Sequence, residues 1–130
     1  MVQQKTNRAS KIVTRFECAL DQHYLDVKKG TVQHIFRVKE YAEDLGLHPN
    51  YLNNIIKTIT GKSVGLWIAE KNIAVAKNLL KCSDYSIKEI AGRLHFTDAA
   101  HFSKYFKKHT ALSPSFYRNQ IVETGLCQKI

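Results

Sequence analysis

The chain carries one short pattern twice. Glu40-Tyr41-Ala42-x-x-Leu45-Gly46-Leu47 is answered by Glu89-Ile90-Ala91-x-x-Leu94-His95-Phe96. With one extra residue in the second copy, Leu52-x-x-x-Ile56-Lys57 is answered by Phe102-x-x-x-Phe106-Lys107, and Gly61-Lys62-Ser63 by Ala111-Leu112-Ser113. An internal repeat constrains a fold more than any local propensity, because both copies must solve the same packing problem. Each copy reads as a short helix, a tight turn and a second helix. The small Ala42 and Ala91 let two helices cross closely, and Leu45, Leu47, Leu94 and Phe96 supply apolar cover around the turn. Those are the requirements of a helix-turn-helix.

The remaining sequence is helical in period, with little two-residue alternation. Residues 12–26 set Ile12, Val13, Phe16, Leu20, Tyr24 and Leu25 at helical spacing, and Lys28-Lys29-Gly30 ends that run. Residues 38–45 form a short amphipathic helix closed by Gly46, which takes positive φ readily. Pro49 suits the first turn of the next helix, which runs through Tyr51, Leu52, Ile55, Ile56 and Ile59 to Gly61. Ser63 caps a longer helix reaching about Lys81, with Trp67, Ile68, Ile73, Ala76, Leu79 and Leu80 on its apolar side. Ser86-Ile87-Lys88-Glu89 is a capping box, in which the hydroxyl meets one orphan N–H and the carboxylate another. Its helix ends near Leu94. Thr97-Asp98 caps a helix containing Phe102, Tyr105 and Phe106, and Ser113-Pro114 opens a last one with Phe116 and Tyr117. The predicted fold is all-α: about seven helices forming two helix-turn-helix subdomains joined by a long connecting helix. The expected boundaries are 1–33 for an N-terminal segment and first helix, 34–120 for the repeat-bearing domain, and 121–130 for a tail. Within the domain the first helix-turn-helix spans about 38–61, the connecting helix 63–82, the second helix-turn-helix 86–110, and the last helix 113–121.

Charge then narrows the partner. Lys and Arg number 20 against 11 Asp and Glu, a net charge of +9, and such an excess usually faces a polyanion. The cations are placed, too. Residues 47–81 hold five Lys and a single acid, Glu70, and residues 86–118 hold six basic residues against Glu89 and Asp98. The acids Glu40, Glu43 and Asp44 fall on the first helix of the first copy. Positive charge thus gathers on the second helices and the connecting helix, where a groove-inserting surface needs it. No helix pairs a basic face with an exposed aromatic one, so nucleic acid is favoured over a membrane surface. No apolar run approaches a membrane span, and residues 1–10 lack a secretory leader's apolar stretch. A cytoplasmic, nucleoid-associated protein is expected.

Nothing points to catalysis. Cys18, Cys82 and Cys127 are odd in number and far apart, and the six histidines show no metal-ligand spacing. No phosphate-cradling glycine loop or nucleophile elbow is present. No cofactor and no metal are expected, and the chain is not expected to be an enzyme.

Residues 34–120 closely resemble the DNA-binding domain of AraC/XylS transcription regulators. The resemblance is carried by Tyr41-Ala42 with Leu45, Pro49-x-Tyr51-Leu52, Lys57 with Thr60-Gly61, and Ala76-x-x-Leu79-Leu80. It continues through Ser86-Ile87-x-Glu89-Ile90-Ala91, Phe96-x-Asp98, Phe102-Ser103-Lys104-x-Phe106-Lys107-Lys108 and Ser113-Pro114-x-x-Tyr117-Arg118. It implies two helix-turn-helix units binding adjacent major-groove segments of double-stranded DNA, transcriptional activation, and RNA polymerase as a partner. Relatives commonly carry a sensor or dimerisation domain first, and residues 1–33 are too few to be one. His95 and Ala111 stand where the family usually has Gly, and Asn72 where the connecting helix often carries Arg.

With Leu52, Ile55, Ile56 and Ile59 inward, Asn50, Asn53, Asn54 and Lys57 face out of the first recognition helix. Asn offers adenine a bidentate amide. With Phe102, Tyr105 and Phe106 inward, Ala99, Ala100, Ser103, Lys104 and Lys107 face out of the second. Lys104 suits guanine, and an Ala methyl suits a thymine methyl. The expected base-reading set is therefore Asn50, Asn53, Asn54, Ala99, Ala100, Ser103 and Lys104. Lys57, Lys107 and Lys108 are assigned to phosphates, with Thr97 and the neighbouring helix amides. A connecting helix of about 18–20 residues spans roughly 27–30 Å, close to the roughly 34 Å between successive major grooves. A non-specific architectural nucleic-acid-binding protein is the alternative that charge alone would allow.

Overall fold

The computed structural model describes residues 3–124, and side chains over residues 8–120. Cys127 and the end of the expected tail lie outside the described residues. Seven helices are described: α1 (Gln3–Lys29), α2 (Val38–Leu45), α3 (Pro49–Thr60), α4 (Val64–Cys82), α5 (Ile87–Arg93), α6 (Ala99–Thr110) and α7 (Pro114–Thr124). The chain divides into two compact units, Met1–Lys71 and Asn72–Ile130. The division falls inside α4, so each unit owns part of that helix.

In the first unit, α1 begins well before the expected residue 12 and lies against α2 and α3. Its inner stripe of Phe16, Leu20, Tyr24 and Val27 is buried, with Tyr41 and Ala42 of α2, Leu52 and Ile56 of α3, and Val64. Leu25, placed on the apolar side by its spacing, is instead exposed. The Phe16 ring meets Tyr41 edge-on at 5.4 Å and Trp67 at 6.1 Å. Between α1 and α2 the chain doubles back through Phe36. Its ring stacks on the buried His23 at 3.8 Å, and its N–H donates to His23 Nε2 at 3.0 Å. One defect stands in this core: the Tyr41 hydroxyl is buried with no partner. Burial pushes its pKa far above the ordinary phenolic value.

The second unit is built on Ala76, Leu79 and Leu80 of α4, Ile90 and Ala91 of α5, Leu94, Phe102 and Phe106 of α6, and Pro114. Phe102 and Phe106 sit 5.9 Å apart, and Tyr117 meets Phe106 at 5.5 Å. Arg118 ties the unit together. Its guanidinium donates to the carbonyls of Leu80 at 3.0 Å, Tyr85 at 2.6 Å, Leu79 at 3.3 Å and Ser83 at 3.4 Å. The last carbonyls of α4 have no partners within the helix, and a cation is favoured at that negative end of the dipole. Asn72 donates to the Tyr105 hydroxyl at 3.2 Å, so the residue occupying the family's Arg position holds α4 to α6.

Candidate nucleic-acid interface

Each unit presents one helix-turn-helix, and the turns agree closely. Leu47 N–H donates to Ala42 O at 2.9 Å, and Phe96 N–H to Ala91 O at 2.9 Å. The residue between is left-handed in both, Gly46 at φ 70° and His95 at φ 62°. The same agreement closes the second helices: Gly61 has φ 80° and Ala111 φ 68°, with N–H groups donated to Lys57 O and Lys107 O. The helices of the repeat are α2 (Val38–Leu45) with α3 (Pro49–Thr60), and α5 (Ile87–Arg93) with α6 (Ala99–Thr110). A non-Gly residue in this region bears a clash between Cβ and the backbone, so His95 and Ala111 keep the geometry under strain that Gly46 and Gly61 avoid.

The two recognition helices, α3 and α6, bury Leu52 with Ile56, and Phe102 with Phe106. Opposite these pairs, Asn50, Asn54 and Lys57 of α3 are exposed, as are Ala100, Lys104, Lys107 and Lys108 of α6. Ala99 and Ser103 are half-buried at the border of that face. The two surfaces differ in charge. The twelve residues of α6 carry Lys104, Lys107 and Lys108 with no acid, whereas those of α3 carry Lys57 alone.

Three expectations change. Asn53 is half-buried, and its Oδ1 accepts the Val64 N–H at 3.0 Å. Its carbonyl therefore caps α4 and is not offered to a base. Ile59 is 48% exposed, because the last turn of α3 runs past the core that Leu52 and Ile56 fill. Thr97 stands outside α6, whose N-cap is Asp98, with its carboxylate accepting His101 N–H at 2.7 Å. The carboxylate already occupies the end of α6 where a phosphate was expected, and Thr97 retains only its own exposed hydroxyl. At the matching end of α3, His48 Nδ1 accepts Asn50 N–H at 3.2 Å.

The sequence reading also missed exposed residues on the recognition helices. Tyr51, given no role in DNA contact by its sequence context, is 43% exposed, and Thr58 and His101 are open as well. The repeat held the signal, since Tyr51 and His101 occupy equivalent positions and His101 is polar. Cys18 is exposed and Cys82 half-buried, and among the described residues neither is in a disulfide. Among the described residues no helix is long and apolar enough to cross a membrane.

Two helix-turn-helix units in tandem, each with a basic or amide-bearing second helix turned outward, define a DNA-binding domain. Comparison with known proteins agrees. A family model described as a helix-turn-helix domain matches residues 41–120. The regulatory protein PocR of Salmonella typhimurium is 32% identical over 89 residues, which cover 68% of this chain and 29% of that protein. The C-terminal domain of AraT, a response regulator from Geobacillus stearothermophilus, superposes with a TM-score of 0.72 at 27% identity, covering 92% of this chain and 87% of that one. The DNA-binding domain of AdpA, solved with a target DNA, superposes with a TM-score of 0.68 at 22% identity, covering 89% and 94%; at that identity the likeness concerns the fold. The chain belongs to the AraC/XylS-type helix-turn-helix family, and is a DNA-binding transcription-regulator domain. It spans between 10% and 38% of the length of the first curated relatives it matches.

Proposed function

We propose that this domain is the operator-reading part of a transcription activator, and that each unit inserts its recognition helix into one of two adjacent major-groove segments. Asn50 and Asn54 read bases from α3, and Ala100 and Lys104 from α6, with Ala99 and Ser103 at the border. Lys57, Lys107 and Lys108 hold phosphates, with the Thr97 hydroxyl beside them. RNA polymerase is the protein partner, the site of action is the cytoplasmic nucleoid, and a sensor or dimerisation domain belongs to the whole regulator. The observation that supports this most directly is the matched exposure of the two recognition helices opposite their buried pairs.

Selection of bound duplexes from a random pool, followed by titration at several salt concentrations, tests the proposal. A defined sequence should emerge, and affinity should fall by about 0.9 log units per phosphate contact per decade of salt. Asn54→Ala and Lys104→Ala should each alter the selected bases and cost about 1–3 kcal/mol on the best site. Lys57→Ala and Lys107→Ala should weaken all duplexes alike. If no sequence emerges and binding is still steep in salt, the domain is an architectural binder.

A further inference from the structure

The phosphate contacts assigned so far leave one flank of α3 without an occupant. Successive residues on a helix turn by about 100°. Tyr51, Asn54 and Lys57 therefore step around α3 in intervals of about 60°, with Asn54 in the middle and opposite the buried Leu52 and Ile56. His101, Lys104 and Lys107 step around α6 in the same way. A helix seated in the major groove meets bases along its centre and the two phosphate strands along its flanks. Lys57 and Lys107 provide one flank. The other carries Tyr51 on α3, and on α6 His101 together with Lys108, which lies within about 20° of it.

We infer that Tyr51 and His101 are positioning contacts to the second phosphate wall of each groove, an assignment that rests on the DNA-reading function proposed above. Both side chains are exposed, and among the described residues neither the Tyr51 hydroxyl nor the His101 ring nitrogens has a hydrogen-bond partner. The His101 ring is held edge-on by Phe96 at 5.2 Å and an interplanar angle of 89°, while its backbone N–H is fixed by Asp98. Such a ring is directed before DNA arrives, and little freedom is lost when its N–H meets a phosphate oxygen. Both residues are ring-bearing hydrogen-bond donors with an apolar body. Each unit then grips both strands of its half-site: by Tyr51 and Lys57 in the first, and by His101 with Lys108 and, on the other flank, Lys107 in the second.

The test uses the full chain with Tyr51→Phe and His101→Phe, which keep the rings and delete only the polar atoms. Affinities are measured for the selected duplex, for a random duplex, and for the selected duplex carrying single uncharged methylphosphonates along each strand. Each variant should weaken both unmodified duplexes by the same factor, about two- to tenfold, with the selected sequence unchanged. Methylphosphonates that lose their effect in Tyr51→Phe should lie on the strand opposite those that lose it in Lys57→Ala, and likewise for His101→Phe and Lys107→Ala. Unchanged affinity overturns the assignment, as does a changed base preference or a shared strand for Tyr51 and Lys57. If the parent chain shows no preference for the selected duplex, the operator-reading function fails first and this assignment with it.

Discussion

The two units use one architecture and secure it differently. In the first, the N–H that opens α4 at Val64 is met by Asn53 from the recognition helix. In the second, the corresponding position is Pro114, which has no N–H to satisfy, and the residue at the Asn53 position is the short Ser103. The second unit instead uses Arg118 to close the end of α4, with four backbone carbonyls as acceptors. The first unit has Ile68 at that place, and the Tyr24 hydroxyl donates to its carbonyl at 3.5 Å. The repeated feature is the Thr60 and Thr110 hydroxyl, donating to Ile56 O at 2.7 Å and Phe106 O at 2.8 Å. Helix-turn-helix geometry is thus held in common, while each unit closes its outer helices by its own means.

The largest difference between the units should appear on removal of Arg118. Arg118→Ala takes the guanidinium donor from the Leu80 and Tyr85 carbonyls, while Leu79 O keeps the Ser83 N–H and hydroxyl, and it removes packing beside them. Unmet buried acceptors cost about 1–3 kcal/mol, so a loss of about 2–4 kcal/mol is expected in the second unit. Hydrogen exchange resolved by residue should show α5 and α6 opening while α2 and α3 keep their protection. Equal loss in both units would mean that Arg118 supports the whole chain.

Next in size is the cap. Asn53→Ala should destabilise the first unit by about 1–2 kcal/mol, the usual cost of losing a capping side chain. Ser103→Ala should stay within about 0.5 kcal/mol, as for a surface position without such a role, since Pro114 leaves no N–H to cap. Denaturant melts of the two variants check this directly. If they fall together, the capping bond to Val64 is not what separates the units.

The repeat made the two helix-turn-helix units legible in the sequence. Aligning His95 with Gly46 marks it as left-handed, and it is; Ala111, where the sequence suggests an altered helix end, takes the same left-handed conformation as Gly61. Ile59 illustrates information that was present and unused: its counterpart His109 is polar and exposed, which argues against an inward Ile59. Other features have no local signal. The first turns of α1 are polar, so no apolar periodicity announces a helix there. Asn53 reaches eleven residues along the chain and Arg118 reaches 38, and no pattern of hydrophobicity encodes which distant backbone group a polar side chain will meet.

The left-handed positions give a smaller effect that can be run in both directions. Ala111→Gly removes backbone strain of about 1–2 kcal/mol, offset by about 0.4–1 kcal/mol of added freedom in the unfolded chain. A net gain of about 0.5–1 kcal/mol is expected. Gly61→Ala should cost a similar amount; a Cβ there meets nothing within 4 Å, so the cost is in the backbone alone. His95→Gly should be neutral or slightly stabilising and His95→Val clearly destabilising, because branching at Cβ worsens the clash. Thermal melts of the four variants decide whether the two units share one strain.

The smallest effect separates the N-termini of α2 and α5 by acid. Ser86 N–H donates to Glu89 Oε1 at 2.9 Å, and Glu89 N–H donates to Ser86 Oγ at 3.0 Å, a complete capping box. In α2 the Arg37 N–H donates to Glu40 Oε1 at 2.8 Å, and His34 lies 3.5 Å from the other oxygen. Those backbone N–H bonds are the main cause that holds both carboxyls below the ordinary glutamate value, helped at Glu89 by the Ser86 side chain and at Glu40 by His34. A carboxyl with a depressed folded pKa stabilises the fold above its unfolded value of 4.5 and loses that contribution as pH falls through the lower folded value. Both helix starts should therefore loosen only in acid, below the range where free glutamates protonate. Carboxyl resonances followed by NMR on acidification should show Glu40 and Glu89 each titrating below the ordinary glutamate range. His34→Gln should move Glu40 upward and leave Glu89 unchanged. If the two carboxyls respond alike, the boxes differ less than their contacts indicate, and α2 is held by its N–H bond alone.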